Sequence, residues 1–436
     1  MSDPRGETGY VEAELIDDET QQHDEPATET QAIDVVEIVE SEPGSLVLEE
    51  HVAEQEWTRE FAIEDSAPAM PETELAGSGE LASVSDEQEA ESAAAETTSQ
   101  QAVPAAEAAG PRLQSLPMVK ALNAGLRRAL ADDPKVLLMG EDIGPLGGVF
   151  RVTEGLQAEF GAKRVLDTPL AESGIIGSAI GLAMRGYRPV VEIQFNGFVF
   201  PGFDQITTQL AKLTNRHSGA VSMPVVIRIP HGGHIGAVEH HQEAPEAYFA
   251  HTAGLRVVAP STPHDAYWMI QEAIASDDPV IFFEPMSRYW PKGEVDTVEN
   301  GVPLHASRVV RTGTDATIVA WAGMVPVALR AAEIAAEEGR SLEVIDLRSL
   351  SPIDYAPIVQ SVQKTGRLIV AQEAPGVVSV ASEVAAVVSE KAFYSLESPA
   401  LRVAGFDTPF PPAKLEDVYL PDADRILEAV DRALAY

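Results

Sequence analysis

The sequence predicts an α/β protein: a parallel sheet with helices on both faces, then a second α/β unit, preceded by a disordered acidic tail. Three observations carry this. From Leu116 onward, Val/Ile-rich runs alternate with Ala/Leu-rich amphipathic stretches, and strands alternating with helices pair in parallel with both faces covered. Between 284 and 308 the alternation is interrupted by Pro, Gly, Asn and charge, which marks a boundary between two units. The acidity is uneven: residues 1–110 hold 30 Asp plus Glu against only Arg5 and Arg59, in a chain whose net charge is −39.

Residues 1–112 form the acidic extension. Rich in Glu, Ala, Ser, Thr, Gln and Pro and poor in aromatics, it buries too little apolar surface to offset the entropy of ordering its backbone. Its apolar islands at 32–39, 45–52 and 57–63, each flanked by acids, read either as parts of a solubilising bristle or as segments that fold on a basic partner. The folded part opens with a helix at 118–132, where Met118, Val119, Ala121, Leu122, Leu126 and Leu130 recur at helical spacing, followed by a buried strand at 136–139. Further strands are expected at 190–195, 225–229, 255–259 and 280–283, with helices at 172–185, 203–216, 245–251 and 263–275. A boundary near 300 divides 113–300 from 301–436. The second unit has strands at 317–320, 342–346 and 368–371 and helices at 325–338, 380–391 and 423–434.

The chain has no cysteine, which excludes disulfides, thiolate metal sites and thiol nucleophiles. Its apolar runs, such as 175–184, are too short to span a bilayer. Lacking the order of a secretory signal or the basic make-up of a transit peptide, the N-terminus leads to the expectation of a cytoplasmic protein. Without a cluster of Lys and Arg, no nucleic-acid partner is expected.

Three clusters carry candidate chemistry. At 167–177, a strand end and loop deliver Glu172 to the start of a glycine-punctuated helix. The plain reading is a capped helix start; the functional one is a buried carboxyl poised for proton exchange. At 192–205 four Phe follow a strand, at 195, 198, 200 and 203. They are core, or they are a wall on which a heterocycle stacks at the carboxyl end of a parallel strand. At 231–251 lie five of the ten histidines, His231, His234, His240, His241 and His251. A metal site is the rival reading there, but the spacing fits neither HExxH nor its inverse, and one or two acid–base histidines in a glycine-rich loop fit better.

Together with Met139-Gly140-Glu141-Asp142-Ile143-Gly144, the run 147–156 and Val344-Ile345-Asp346-Leu347-Arg348, these clusters resemble the beta subunits of thiamine-diphosphate-dependent 2-oxoacid dehydrogenase decarboxylase components, closest to the actinobacterial branched-chain enzymes. The resemblance runs from about Met118 to the C-terminus. It implies a pyrimidine-binding thiamine diphosphate domain at 113–300 and the C-terminal domain shared with transketolases at 301–436. It implies that Glu172 is the carboxylic acid on the cofactor's pyrimidine, that Phe198 lies against that ring and that Glu141 is an acid nearby. It makes His241, four residues before Pro245, the histidine of acyl transfer to the lipoyl group, with His240 the alternative if the register is off by one. It also implies a structural potassium ion on main-chain oxygens of Val225 and of 273–278, with Ala273, Ile274, Ser276 and Asp278 as ligands.

Enzymes of this class hold the diphosphate through magnesium on a Gly-Asp-Gly motif, since two phosphates need a divalent cation. The chain has no Gly-Asp-Gly. The resemblance therefore implies an alpha subunit that brings the Mg2+ site, an α2β2 tetramer with the active site between chains, and a lipoyl acyltransferase as the acceptor. Residues 284–293 and the His240-His241 pair favour branched-chain 2-oxoacids. Pyruvate or acetoin is the rival within the class, and a non-catalytic scaffold with a binding tail the rival outside it.

Overall fold

The computed structural model describes residues 112–299 and 301–436, together with the backbone of a short antiparallel pair, Val35–Val36 with Glu50–His51. Otherwise the expected acidic tail lies outside the described residues. Residues 112–436 belong to one compact unit. Its strands are β1 (Leu113–Pro117), β2 (Val136–Gly140), β3 (Val165–Asp167), β4 (Arg188–Glu192), β5 (Val226–His231), β6 (Arg256–Val258), β7 (Val280–Pro285), β8 (Lys292–Asp296), β9 (Arg308–Arg311), β10 (Ala316–Ala320), β11 (Leu342–Asp346), β12 (Ser349–Ser351), β13 (Leu368–Pro375) and β14 (Leu401–Gly405).

A seven-stranded sheet runs β12-β6-β7-β5-β4-β2-β3, parallel except for the edge strand β12. Alternate residues point to opposite faces. Leu138, Val190, Val226 and Phe282 join the core under the helices Met118–Asp132 and Pro263–Ala275, whereas Met139, Val191, Ile227 and Phe283 pack with the helix Glu172–Met184. The first two helices touch closely at Gly125, where a Cβ would lie 2.6 Å from Ile270 Cγ2 and 2.8 Å from Tyr267 O. Thr262 caps the second of them by accepting from Asp265 N–H at 3.1 Å, with Pro263 at its first position, where the missing N–H costs nothing.

The second sheet runs β9-β11-β10-β13-β14. Val319, Ile345 and Val370 on one of its faces belong to the same core as Ile227 and Phe283 of the first sheet, so a single apolar core lies between the sheets. The other face is covered by the helices Met324–Glu337 and Ala423–Leu434.

The expected order of strands and helices is present, with local differences. The strand expected to reach 195 ends at Glu192, because the chain turns into the 3-10 segment Asn196–Gly202. The helix expected from 203 begins with a wide π turn, Gln205–Leu210, before Ala211–Arg216. The stretch expected to be boundary loop contains β8, antiparallel to β1. After β11 the chain crosses back, and β12 pairs with β6 on the first sheet.

Candidate active site

Register positions the site. Gly140 pairs with Asp167 on one side and Glu192 on the other, and Glu192 pairs with Arg228. Three loops therefore leave the sheet side by side at the carboxyl ends of β3, β2 and β4, where open parallel sheets bind ligands. They carry Thr168 to Glu172, Glu141 and Asn196 to Phe198.

Glu172 is the buried first residue of its helix, at the end where the helix dipole favours negative charge. The Ala171 amide just before it donates to the Glu141 carboxyl. Burial, and then the charges of Glu172 and Asp142, push the Glu141 carboxyl above the usual carboxylate range, with the Ala171 amide opposing. On the same loop side, Gln194 Nε2 donates to Asp142 Oδ2 at 3.1 Å. The 3-10 segment packs directly on the helix start: a Cβ on Gly202 would collide with Ile176 and come within 3.3 Å of Glu172 O.

That segment carries Phe198, whose ring lies 5.5 Å from the His241 ring, while Phe195 lies 4.4 Å from it, both edge-on. His241 sits on the short helix Glu239–Gln242, with Nδ1 buried and without a partner. Its neighbour points elsewhere, since the His240 side chain is 63% exposed and places Nδ1 3.1 Å from Glu239 Oε1. Phe200 and Phe203 turn away to Tyr248, at 5.8 and 6.1 Å. Two of the four Phe thus face His241. The histidines diverge, and among the described residues no group of three or more His, Asp or Glu is arranged to hold a metal.

A buried charge network lies beneath these loops and was missed in the sequence. Arg228 donates to Glu284 through Nε at 2.6 Å and Nη2 at 2.9 Å and to Glu192 through Nη1 at 2.6 Å, and Tyr289 O–H donates to Glu284 at 2.7 Å. Burial disfavours the Arg228 charge, but Glu284 and Glu192 outweigh it and hold the guanidinium further above its usual range. Burial and then Glu284 push the Tyr289 hydroxyl up as well. A signal was available: each of 192, 228 and 284 is a charge set in a run of Val, Ile or Phe, and buried charges come paired.

The loops also hold buried polar atoms with no protein partner: Glu141 Oε1, Thr168 Oγ1, both amide atoms of Asn196, Gln205 Oε1 and His241 Nδ1. Buried polar groups are normally hydrogen-bonded. A polar heterocyclic ligand with donors and acceptors on its edge, stacked against Phe198, fits this set. Around it Leu146, Val149, Phe200, Val238 and, at 80% exposure, Leu170 face outward, an apolar rim of the kind that marks contact with another protein.

The segment expected to hold potassium lies at the opposite end of the sheet. Its oxygens already have donors: Val225 O accepts from Val280 N–H at 2.9 Å, Ala273 O from Ser276 N–H at 3.2 Å and Asp278 O from Ser276 Oγ at 3.2 Å. Ile274 O and Ser276 O both accept from Arg188 Nη1, at 3.0 and 2.9 Å. A cation would share these oxygens with a guanidinium.

Comparison with known proteins gives the following. The transketolase pyrimidine binding domain matches residues 114–291 and the transketolase C-terminal domain residues 305–426. A pyruvate dehydrogenase E1 component subunit beta from Leifsonia xyli subsp. xyli is 89% identical over 326 residues, 75% of this chain and 97% of that protein. A 3-methyl-2-oxobutanoate dehydrogenase subunit beta from Mycobacterium tuberculosis is 53% identical over 322 residues, 74% of this chain and 92% of that one. Among solved structures, a split-gene transketolase described as an inactive beta4 tetramer superposes with a TM-score of 0.60 at 25% identity, covering 74% of this chain and 99% of that one.

Proposed function

The chain belongs to the beta subunits of the E1 components of 2-oxoacid dehydrogenase complexes, and from that premise we propose that it completes, with an alpha subunit, a thiamine-diphosphate site that decarboxylates pyruvate and passes the acyl group to a lipoyl acyltransferase. The observation that carries this reading is the set of unpartnered polar atoms on loops that also present Glu172, Phe198 and His241. Thiamine diphosphate, when bound, supplies the electron sink that loss of carbon dioxide from a 2-oxoacid requires.

In this reading Glu172 exchanges a proton with the pyrimidine edge of the cofactor, as a buried carboxyl at a helix start can. Glu141 stays protonated more readily than an ordinary carboxyl and reinforces that exchange. Phe198 is the apolar face against the ring. His241 offers Nδ1 to the acyl-transfer step, and its buried, partnerless nitrogen favours it over His240. The diphosphate and its Mg2+ fall to the alpha subunit, since this chain carries no Gly-Asp-Gly; the apolar rim supports an α2β2 tetramer closed over the site. A structural potassium ion on the main-chain oxygens of Val225 and 273–278 belongs to the same reading, since a carbonyl that accepts one hydrogen bond keeps a second lone pair. A cytoplasmic location and the division at 113–300 and 301–436 belong to the same reading.

On substrate, residues 284–293 and the His240-His241 pair are the sequence features that favour branched-chain acids. Of the former, Glu284 and Tyr289 are consumed in the buried Arg228 network and do not face the site. The 89% identical relative is named for pyruvate, which supports pyruvate. The 53% identical relative is named for 3-methyl-2-oxobutanoate, and the apolar wall of Phe195 and Phe198 would admit a branched side chain, so that is the second reading. Turnover of purified alpha and beta chains on pyruvate and 3-methyl-2-oxobutanoate in parallel decides: a higher kcat/KM for pyruvate supports the first, and the reverse order removes it.

A further inference from the structure

We propose that Glu373 and Glu416, both from the part of the chain beyond 300, are positioning residues that set His241 for acyl transfer by clamping the glycine loop that leads into its helix. The inference rests on the assignment of His241 above. The loop follows β5 as His231-Gly232-Gly233-His234-Ile235-Gly236, and three of these residues are left-handed: Gly232 at φ 82°, His234 at 75° and Gly236 at 68°. Alternating handedness of this kind turns successive amides inward into an anion-binding concavity.

The anions in this concavity are carboxylates of the protein. Gly233 N–H donates to Glu373 Oε2 at 3.0 Å, His234 N–H to Glu416 Oε1, and Gly236 N–H to Glu416 Oε2 at 3.1 Å. The remaining two amides tie the loop to the His241 helix and its exit: Gly232 N–H donates to Glu243 O at 3.2 Å and Ile235 N–H to Gln242 Oε1 at 2.9 Å, while Gln242 Nε2 donates to Ala237 O at 2.8 Å. All five amides from 232 to 236 are therefore satisfied, and none of them by a sheet or helix ladder. Gln242 is 1% exposed and directly follows His241, so the loop geometry passes to the histidine through one residue.

There is little slack in the clamp. A Cβ on Gly232 would lie 2.5 Å from Glu373 Oε2, and one on Gly323 would collide with Glu373 Oε1. Burial pushes the Glu373 carboxyl up and the Gly233 amide pulls it down. The loop amides and the carboxylates each satisfy the other's polar groups. Sheet and loop on one side, and two carboxylates from the other part of the fold, converge on the only segment that connects β5 to His241.

The test uses Glu416→Gln and Glu373→Gln in the complex assembled with the alpha subunit. In Glu416→Gln the amide places an NH2 group against one of the two backbone N–H groups, of His234 and Gly236, that the carboxylate had accepted. Glu373→Gln keeps an oxygen for Gly233 N–H and is the milder variant, so the losses expected next are those of Glu416→Gln. Acyl transfer to a lipoyl acceptor should fall about tenfold or more, as displacement of a catalytic group by a fraction of an ångström does, with decarboxylation to an artificial electron acceptor falling much less. In a His241→Ala background, Glu416→Gln should cause no further loss. Equal loss of both half-reactions, or an additive loss in that background, overturns the clamp and leaves a general stabilising role. If His241→Ala itself spares acyl transfer, the histidine assignment fails. Amide hydrogen exchange over 232–242 then decides the clamp by itself: faster exchange in Glu416→Gln supports it and wild-type exchange overturns it.

Discussion

Replacing Gly197 by alanine should disable acyl transfer without unfolding the protein. A Cβ at 197 would lie 2.5 Å from His240 O, 2.8 Å from its Cα and 3.0 Å from its carbonyl carbon. These are backbone atoms of the helix that carries His241, so no side-chain rotation relieves the contact. Ordinary separation for such atoms is about 3.5 Å, so the helix must move by roughly 1 Å. The His241 ring is held 4.4 Å from Phe195 and 5.5 Å from Phe198, and a shift of that size takes it out of the notch between them. Misplacement of about 1 Å can cost on the order of a hundredfold in rate, whereas overpacking costs about 1–3 kcal/mol of stability. The measurement is acyl transfer to a lipoyl acceptor alongside decarboxylation to an artificial acceptor and thermal melting, all in the assembled complex. Gly197→Ala with wild-type acyl transfer and an unchanged melting temperature would refute the claim that His240 is packed on this turn.

Four further outcomes follow from the site. Glu172→Gln should keep fold and assembly but lower turnover by about two to four orders of magnitude, because an amide cannot exchange the proton; near-normal decarboxylation would remove the assignment. His241→Ala should damage acyl transfer more than decarboxylation, and His240→Ala should do neither; the reverse pattern would mean that the register is wrong by one. Calorimetry on the isolated chain should detect no saturable thiamine diphosphate binding with magnesium until an alpha subunit is added, and micromolar binding without it would contradict the shared site. Burial pushes the Glu246 carboxyl up to about 7, so the folded state holds this proton more tightly than the unfolded chain. Its stabilisation is complete below the ordinary carboxyl value of 4.5 and is lost as pH rises through about 7. Glu246→Gln should therefore remove up to about 3 kcal/mol of the fall in stability across that window; identical urea midpoints for both proteins at pH 5 and pH 8 would show that Glu246 does not titrate there.

Much of the candidate site was legible because its signals are local. Glu172 was placed at a helix start by the loop before it and the periodicity after it, and its helix begins at that residue. The Phe run after a strand was visible as a wall, but which of the rings would face the ligand side was not. A 3-10 segment followed by a π turn departs from the helical period, so Phe195 and Phe198 reach His241 while Phe200 and Phe203 go to Tyr248. The edge strand Ser349–Ser351 was also illegible, being three residues long and paired with a strand about ninety positions earlier.

What the sequence determined by itself was the order and type of the main elements, the concentration of acidity in residues 1–110 and the lack of a Gly-Asp-Gly motif, from which only the family resemblance implies a partner. Such features depend on spacing within a turn or two of chain, where hydrophobic period, capping and turn chemistry act. Only the tertiary structure decided the rest. The alignment of Gly140 with Asp167 and Glu192 brings three loops to one place, and register is set by which faces are buried across the whole sheet. That the His241 ring lies against Phe195 and Phe198 depends on the packing of Gly197 against its helix. The carboxylates that hold the glycine loop come from 140 and 182 residues away, a distance over which no local pattern carries information, because the contacts exist only once the single core between the two sheets has formed.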